Sequence, residues 1–228
     1  MKYELAIFDM DGTILDTMDD LTDSLNVSLN AFGYPSRTIE EVRSFVGNGI
    51  HRTIELGVPE GTDPDGIEQV FSYFTPYYQA HCNEKTRPYD GIVSLIETLK
   101  KKGMKTAVVS NKADEAVHAL CDTFFSRLFD YEIGQKPENK RKPAPDSVNE
   151  VLSKLSVDRT HAVYIGDSEV DLATAANAQM DCIAVSWGFR GESFLKQQGA
   201  DKIAKTPQDV LLLLTDNNYN GSVVKTKI

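Results

Sequence analysis

From Lys105 onward the chain repeats one pattern, and that pattern constrains its architecture more than any other feature. Short apolar, β-rich runs at 105–110, 131–133, 162–166 and 181–185 alternate with segments of helical period at 113–120, 145–155 and 169–178. Such alternation predicts a parallel sheet covered by helices on both faces. A strand at 201–203 and a helix at 207–214 are expected to close it. An earlier apolar run at 3–9 reads as a buried strand ending in a turn at Gly12, yet its neighbours are helical. Leu21, Leu25, Leu29 and Phe32 recur at helical spacing before Gly33, Thr38 and Glu41 fit a capping box, and Phe71, Phe74 and Tyr78 mark a helix over 64–82. A further helix carries Ile92, Leu95, Ile96 and Leu99, ending before Gly103. Because a direct crossover needs only about 10 to 12 residues, the helical block reads as an insertion after the first strand.

The expected fold is therefore α/β: a doubly wound parallel sheet core formed by residues 1–15 and 88–228, with an inserted all-helical domain at 16–87. The linkers 15–17 and 86–89 are the expected hinges. With 228 residues and 41% hydrophobic residues, the chain can bury such a core. Its 24 Lys and Arg against 34 Asp and Glu leave a net charge of −10, which argues against nucleic acid and anionic membranes as partners. No run of about 18 apolar residues suits a membrane span, and the N-terminus matches no signal peptide. Cys82, Cys121 and Cys182 are odd in number, far apart and free of zinc-site spacing, so a reduced, cytoplasmic location is expected. The polar tail at 217–228 is expected to be loose.

In an open parallel sheet, function collects at the carboxyl ends of the strands. Three expected strands end there in polar residues: Asp9-Met-Asp11-Gly-Thr13, Ser110-Asn111-Lys112, and Gly166-Asp167-Ser168-Glu169-Val170-Asp171. Four carboxylates, those of Asp9, Asp11, Asp167 and Asp171, would crowd one crevice, and like charges that close call for a cation. Oxygen ligands without His or Cys point to a hard ion, Mg²⁺ above all. With Lys142 and the donors around Ser110 and Asn111, the same crevice can hold a phosphate, a combination suited to phosphoryl transfer.

The ordered set FDMDGT, VVSNK, KPAPD and GDSEVD resembles the four signature motifs of the haloacid dehalogenase-like (HAD) phosphohydrolases. The resemblance covers the chain to about Leu214 and implies a Rossmann-like core with a C1 cap. It further implies Asp9 as nucleophile, Asp11 as general acid and then base, and Thr13 as orienter of the Asp9 loop. Ser110, the Asn111 backbone and Lys142 would hold the phosphoryl group. Mg²⁺ would be bound by Asp9, the Asp11 carbonyl and Asp167, with Asp171 helping through water or indirect contacts. Lys142 is preferred to Lys136 because KPAPD directly precedes an expected helix.

The segment Val46-Gly47-Asn48-Gly49, followed by Arg52, resembles the cap segment of phosphoglycolate phosphatases, which touches the substrate's leaving group; it is no dinucleotide fingerprint. This implies a small phosphorylated metabolite, 2-phosphoglycolate first, as substrate. A β-phosphoglucomutase-type transfer, a pyrophosphatase and a catalytically silent ligand-binding member of the fold are the alternatives. The DGT of residues 11–13 favours a phosphatase over the mutase, where DGV is expected. Trp187 and Tyr78 read as packing residues, the four histidines receive no role, and monomer and homodimer remain open.

Overall fold

All four residues of β1 (Leu5–Phe8) are buried. They alternate between two cores: Leu5 and Ile7 pack into one, Ala6 and Phe8 into the other. A strand that is apolar at every position has no face for solvent and belongs inside a sheet covered on both sides. The structure, a computed structural model, describes residues 2–47 and 49–215. It puts β1 between β4 (Lys105–Ala113) and β6 (Ala162–Gly166), parallel to both. With β5 (Tyr131–Gln135), β7 (Asp181–Val185) and β8 (Ile203–Ala204), the six parallel strands run in the order β5-β4-β1-β6-β7-β8.

Val148, Val151 and Leu152 of α7 (Asp146–Leu155) and Ala175 of α8 (Glu169–Asn177) fill the Leu5 and Ile7 side. The opposite core takes the apolar stripes of α5 (Ile92–Lys101), α6 (Asp114–Phe125) and α10 (Pro207–Thr215). The sheet is thus doubly wound, as expected.

Four helices stand between the first strand and the rest of the sheet: α1 (Met18–Ala31), α2 (Ile39–Phe45), α3 (Ile50–Gly57) and α4 (Pro64–His81). Leu21, Leu25 and Leu29 of α1 share a core with Val70, Phe74 and Tyr78 of α4. At the end of α1, the N–H groups of Gly33 and Tyr34 donate to the carbonyls of Asn30 and Leu29, a Schellman closure. The capping box of α2 forms as expected, with Thr38 N donating to Glu41 (2.7 Å) and Glu41 N to the Thr38 hydroxyl (3.3 Å).

The two linkers carry a feature the sequence did not suggest: β2 (Leu15–Asp16) pairs antiparallel with β3 (Arg87–Pro88). Two-residue strands have no periodicity to read. Beside them the buried Asp20 carboxylate accepts from Lys85 N and Thr86 N, tying α1 to the exit linker. Two further differences lie at the sheet edge. The last strand covers Ile203–Ala204 rather than 201–203, and α9 (Gly191–Gln197) was not expected, since Leu195 alone of its residues is buried and leaves no stripe. The tail at 217–228 lies outside the described residues. Among those described, no helix is long and apolar enough to cross a membrane, and the three cysteines are free.

Candidate active site

From β1 the chain winds to β4 and β5 on one side and then crosses to β6, β7 and β8 on the other, so the carboxyl end of β1 lies at the point where the winding reverses and a crevice opens. Asp9 stands there, its N–H extending the ladder to Ile165 O at 2.8 Å. The chain then folds back tightly: the N–H groups of Thr13, Ile14 and Leu15 converge on the Met10 carbonyl. Gly12 allows this turn at φ +81°, and a Cβ there would sit 2.5 Å from an Asp167 carboxylate oxygen. Gly33 has a similar φ of +74° but nothing within 4 Å of a Cβ. Gly12→Ala is therefore expected to destabilise by about 1–3 kcal/mol more than Gly33→Ala, through the clash with Asp167. Thermal unfolding of the two variants measures this, and equal losses would remove Asp167 as the cause.

Asp9, Asp167 and Asp171 are buried, and one carboxylate oxygen of each lies within 4.8 Å of the others. Their hydrogen bonds separate them. Asp171, at the third position of α8, accepts from Ser168 N (3.1 Å) and Ser168 Oγ (2.7 Å) with Oδ2 and from Lys142 Nζ (2.9 Å) with Oδ1. Asp9 Oδ1 accepts from Met10 N (2.7 Å) and lies 2.8 Å from Lys142 Nζ. Asp167 Oδ2 accepts from Phe189 N at 2.6 Å, while its Oδ1 has only a long 3.4 Å contact with Thr13 Oγ1. Asp9 Oδ2 has no hydrogen-bond partner among the described residues. Two oxygens, Asp9 Oδ2 and Asp167 Oδ1, are thus the ones open to a further ligand, whereas Asp171 is committed to the α8 cap and to Lys142.

Burial, reinforced by the Asp171 charge and opposed by Lys142, lifts Asp9 to about 7. Burial, with Asp171 and Asp9, also lifts Asp167 well above the usual carboxylate range. For Lys142, burial acts to lower the pKa, but the carboxylates of Asp171 and Asp9 outweigh it and hold the ammonium well above its ordinary value. Lys142 Nζ also donates to Tyr164 OH at 3.0 Å. The loop carrying it is clamped by the Asn111 side chain, which accepts from Lys142 N (2.8 Å) and donates to Lys142 O (3.2 Å). The competing Lys136 instead lies near Glu150 (3.5 Å) and Asp114 (4.0 Å). Ser110 is buried beside Asn111, with its Oγ accepting from Lys112 N at 3.2 Å.

The helical insertion closes the other side of the crevice through Val46, Gly47, Gly49, Ile50, Thr53 and Tyr78. Gly47 and Gly49 are there, as expected, but each also receives a guanidinium group. A Cβ on Gly47 would lie 3.2 Å from Arg190 and one on Gly49 2.5 Å from Arg141. Asn48 lies outside the described residues. Arg52, expected to meet the substrate, is not among the residues that line the crevice. On α3, Ile50 and Thr53 face the site, and Arg52, about 200° around the helix from Ile50, pairs instead with Glu55 at 2.6 Å on a half-exposed face.

Two cations to which motif reading gave no role lie at the crevice, Arg190 and Lys112. Arg190 bonds Glu169 (2.9 and 3.2 Å) while donating to the Arg43 and Val46 carbonyls of the insertion at 2.8 and 2.6 Å. Lys112 Nζ lies 2.7 Å from Tyr78 OH and 3.0 Å from Asp11 Oδ1. Tyr78 is therefore more than packing, and Trp187 also does more, donating from Nε1 to Thr13 O at 3.0 Å. A buried lysine one residue after a strand-end Ser-Asn was the available signal for Lys112; nothing in the sequence marked Arg190.

Comparison with known proteins places this geometry. Residues 6–185 match the haloacid dehalogenase-like hydrolase family. A crystal structure from Lactobacillus delbrueckii subsp. bulgaricus, with the working assignment of phosphoglycolate phosphatase, superposes with a TM-score of 0.90 at 41% identity, covering 94% of this chain and 99% of that one. Phosphoglycolate phosphatase 1 of Pseudomonas aeruginosa is 29% identical over 213 residues, 91% of this chain and 78% of its own. Pyrophosphatase PpaX of Bacillus anthracis is 27% identical over 220 residues, 96% of this chain and 99% of its own. The family match runs from β1 through the insertion to β7, and the residues of all four motifs meet at one strand-end crevice, so the chain belongs to the haloacid dehalogenase-like hydrolases.

Proposed function

We propose that this protein is a Mg²⁺-dependent phosphatase of small phosphorylated metabolites, 2-phosphoglycolate first among them, working through an aspartyl-phosphate. One observation carries the reading: Asp9 stands at the switch point of the sheet with one carboxylate oxygen held by Lys142 at 2.8 Å and the other open. A carboxylate presented in this way is a nucleophile with a fixed direction of attack. Its oxygen forms a bond to phosphorus as the bond to the leaving oxygen breaks, and Asp11 gives that oxygen its proton. Asp11, now a carboxylate, takes a proton from the water that then releases phosphate and restores Asp9. Ser110 and Lys142 hold the transferring phosphoryl oxygens, and Asn111 keeps Lys142 in place.

The donor set fits a hard cation: oxygen atoms only, with the Asp9 oxygen that does not attack and the open Asp167 Oδ1 placed to hold it, the Asp11 carbonyl added as the family resemblance implies, and Asp171 acting through Lys142. When bound, Mg²⁺ supplies the positive charge that keeps the buried carboxylates ionised and offsets the charge on the phosphoryl group. Residues 16–87 act in this reading as a cap, with the β2 and β3 ribbon at its hinge. The insertion over the crevice and the match to a phosphoglycolate phosphatase support the substrate class. Pyrophosphate is the second reading, favoured by the PpaX relative that aligns over 99% of its own length.

The test is phosphate release from 2-phosphoglycolate, pyrophosphate and sugar phosphates, with Mg²⁺ and with EDTA. Preference for 2-phosphoglycolate that EDTA abolishes is expected. Preference for pyrophosphate moves the assignment to the second reading, and no release from any of them defeats both.

The carboxylates also set a pH dependence. An acid whose folded-state pKa is raised stabilises the fold fully below its unfolded value of about 3.9, and that contribution is lost as pH rises through the folded value. For Asp9 the loss extends up to about 7. Mg²⁺ binds the ionised carboxylates, so its stabilisation of the fold is expected to be larger near pH 8 than near pH 5.5. Melting temperatures with Mg²⁺ and with EDTA at the two values check this; a metal effect independent of pH would contradict it.

A further inference from the structure

We infer that Tyr78 is a positioning residue for Asp11, acting through Lys112, so that the insertion completes the proton-donating half of the site when it lies over the sheet. The inference rests on the phosphatase reading and deepens it by naming how the insertion reaches the chemistry. Lys112 leaves β4 two residues after Ser110, and its side chain is 6% exposed. A buried ammonium needs partners, and this one has two from separate parts of the fold. Asp11 Oδ1 lies 3.0 Å away on the loop after β1, and Tyr78 OH accepts from Nζ at 2.7 Å from α4 of the insertion. The ammonium also lies 4.6 Å from the centre of the Tyr78 ring, which Phe74 stacks against at 5.2 Å.

Asp11 Oδ1 is itself buried and has no aligned hydrogen bond among the described residues, so the Lys112 charge is what holds it. The arrangement is a relay of position rather than of protons. With the insertion in place, Tyr78 fixes the direction of the lysine side chain, and the lysine fixes Asp11 against the crevice that both line. Moving α4 away removes one of the two partners of Lys112, leaves a flexible four-carbon side chain tethered at one end, and frees the Asp11 carboxyl to turn. A leaving oxygen would then find its proton donor misplaced by a distance that costs rate without costing affinity.

Two esters that differ in their need for that proton separate this role from a merely structural one. An alkyl phosphate leaves as a strong base and requires protonation, whereas p-nitrophenyl phosphate leaves as a stable anion. Tyr78→Phe removes only the hydroxyl and keeps the stacked ring. Its loss in kcat is expected to be at least about tenfold greater on the alkyl ester than on the aryl ester, with KM little changed. Lys112→Met is expected to show the same selectivity, and the double variant no more than the larger single loss, because the two side chains act in series. Equal losses on both esters, no loss on either, or additive losses in the double variant would overturn the inference. Wild-type protein that releases phosphate from neither ester would overturn the phosphatase reading, and the inference with it.

Discussion

Asp9→Asn is expected to lower phosphate release by at least about three orders of magnitude while leaving the fold intact. The amide has nearly the shape of the carboxylate but cannot attack phosphorus, and it keeps an acceptor for Met10 N and Lys142. Its effect on stability should have the opposite sign to its effect on activity. Burial and the neighbouring Asp171 charge penalise ionised Asp9, so without metal the neutral Asn should leave the protein as stable as the wild type or more so above pH 7. It should also remove much of the stabilisation by Mg²⁺, since one of the carboxylates that would hold the ion loses its charge. Phosphate release and melting curves with and without Mg²⁺ test both halves. Full activity in the variant would sink the assignment of Asp9 as nucleophile.

Lys142→Met is expected to damage activity and stability together. The ammonium is the counter-charge of Asp9 at 2.8 Å and Asp171 at 2.9 Å, and its side chain is 4% exposed. Removing one partner from a buried ionic cluster leaves the others uncompensated, a loss on the order of 3–5 kcal/mol. Asp9, which burial already lifts to about 7, can relieve that loss by taking up a proton, so it should grow as pH rises from about 5 to about 8. Lys136→Met is the matched control. Its ammonium lies 3.5 Å from Glu150 and 4.0 Å from Asp114 at a partly exposed site, and losing it should cost no more than about 1 kcal/mol. Denaturant unfolding of the two variants at two pH values measures the contrast, and similar losses would show that Lys142 does not compensate the cluster.

Much of the core was legible because its signals are local. The alternation of apolar runs and helical stripes after Lys105 anticipated β4 through β7 and their helices to within a few residues. The Thr38 and Glu41 capping box is a contact across three residues and formed as read. Where the local signal was thin, the reading failed. The two-residue ribbon of β2 and β3 has no period, and α9 buries only Leu195. Within the crevice, Asp9, Ser110, Asn111, Asp167 and Asp171 could be anticipated because strand ends in a doubly wound sheet converge, and Lys142 because KPAPD directly precedes α7. The direction of Arg52 was not legible, because it depends on the rotation of α3, which buries Thr53 and Ile54 and leaves Arg52 half-exposed beside Glu55.

The sequence by itself determined the doubly wound sheet, the helical insertion after β1 and the gathering of carboxylates at the strand ends, because apolar period, caps and strand-end chemistry act over a few residues. Only the tertiary structure decided how Lys112 and Arg190 tie the insertion to the crevice. Lys112 finds Tyr78 across 34 residues, and Arg190 finds the Val46 carbonyl across 144. Contacts of that separation arise from how the insertion packs over the sheet edge, and no local pattern encodes a distance between surfaces that meet only after both have folded.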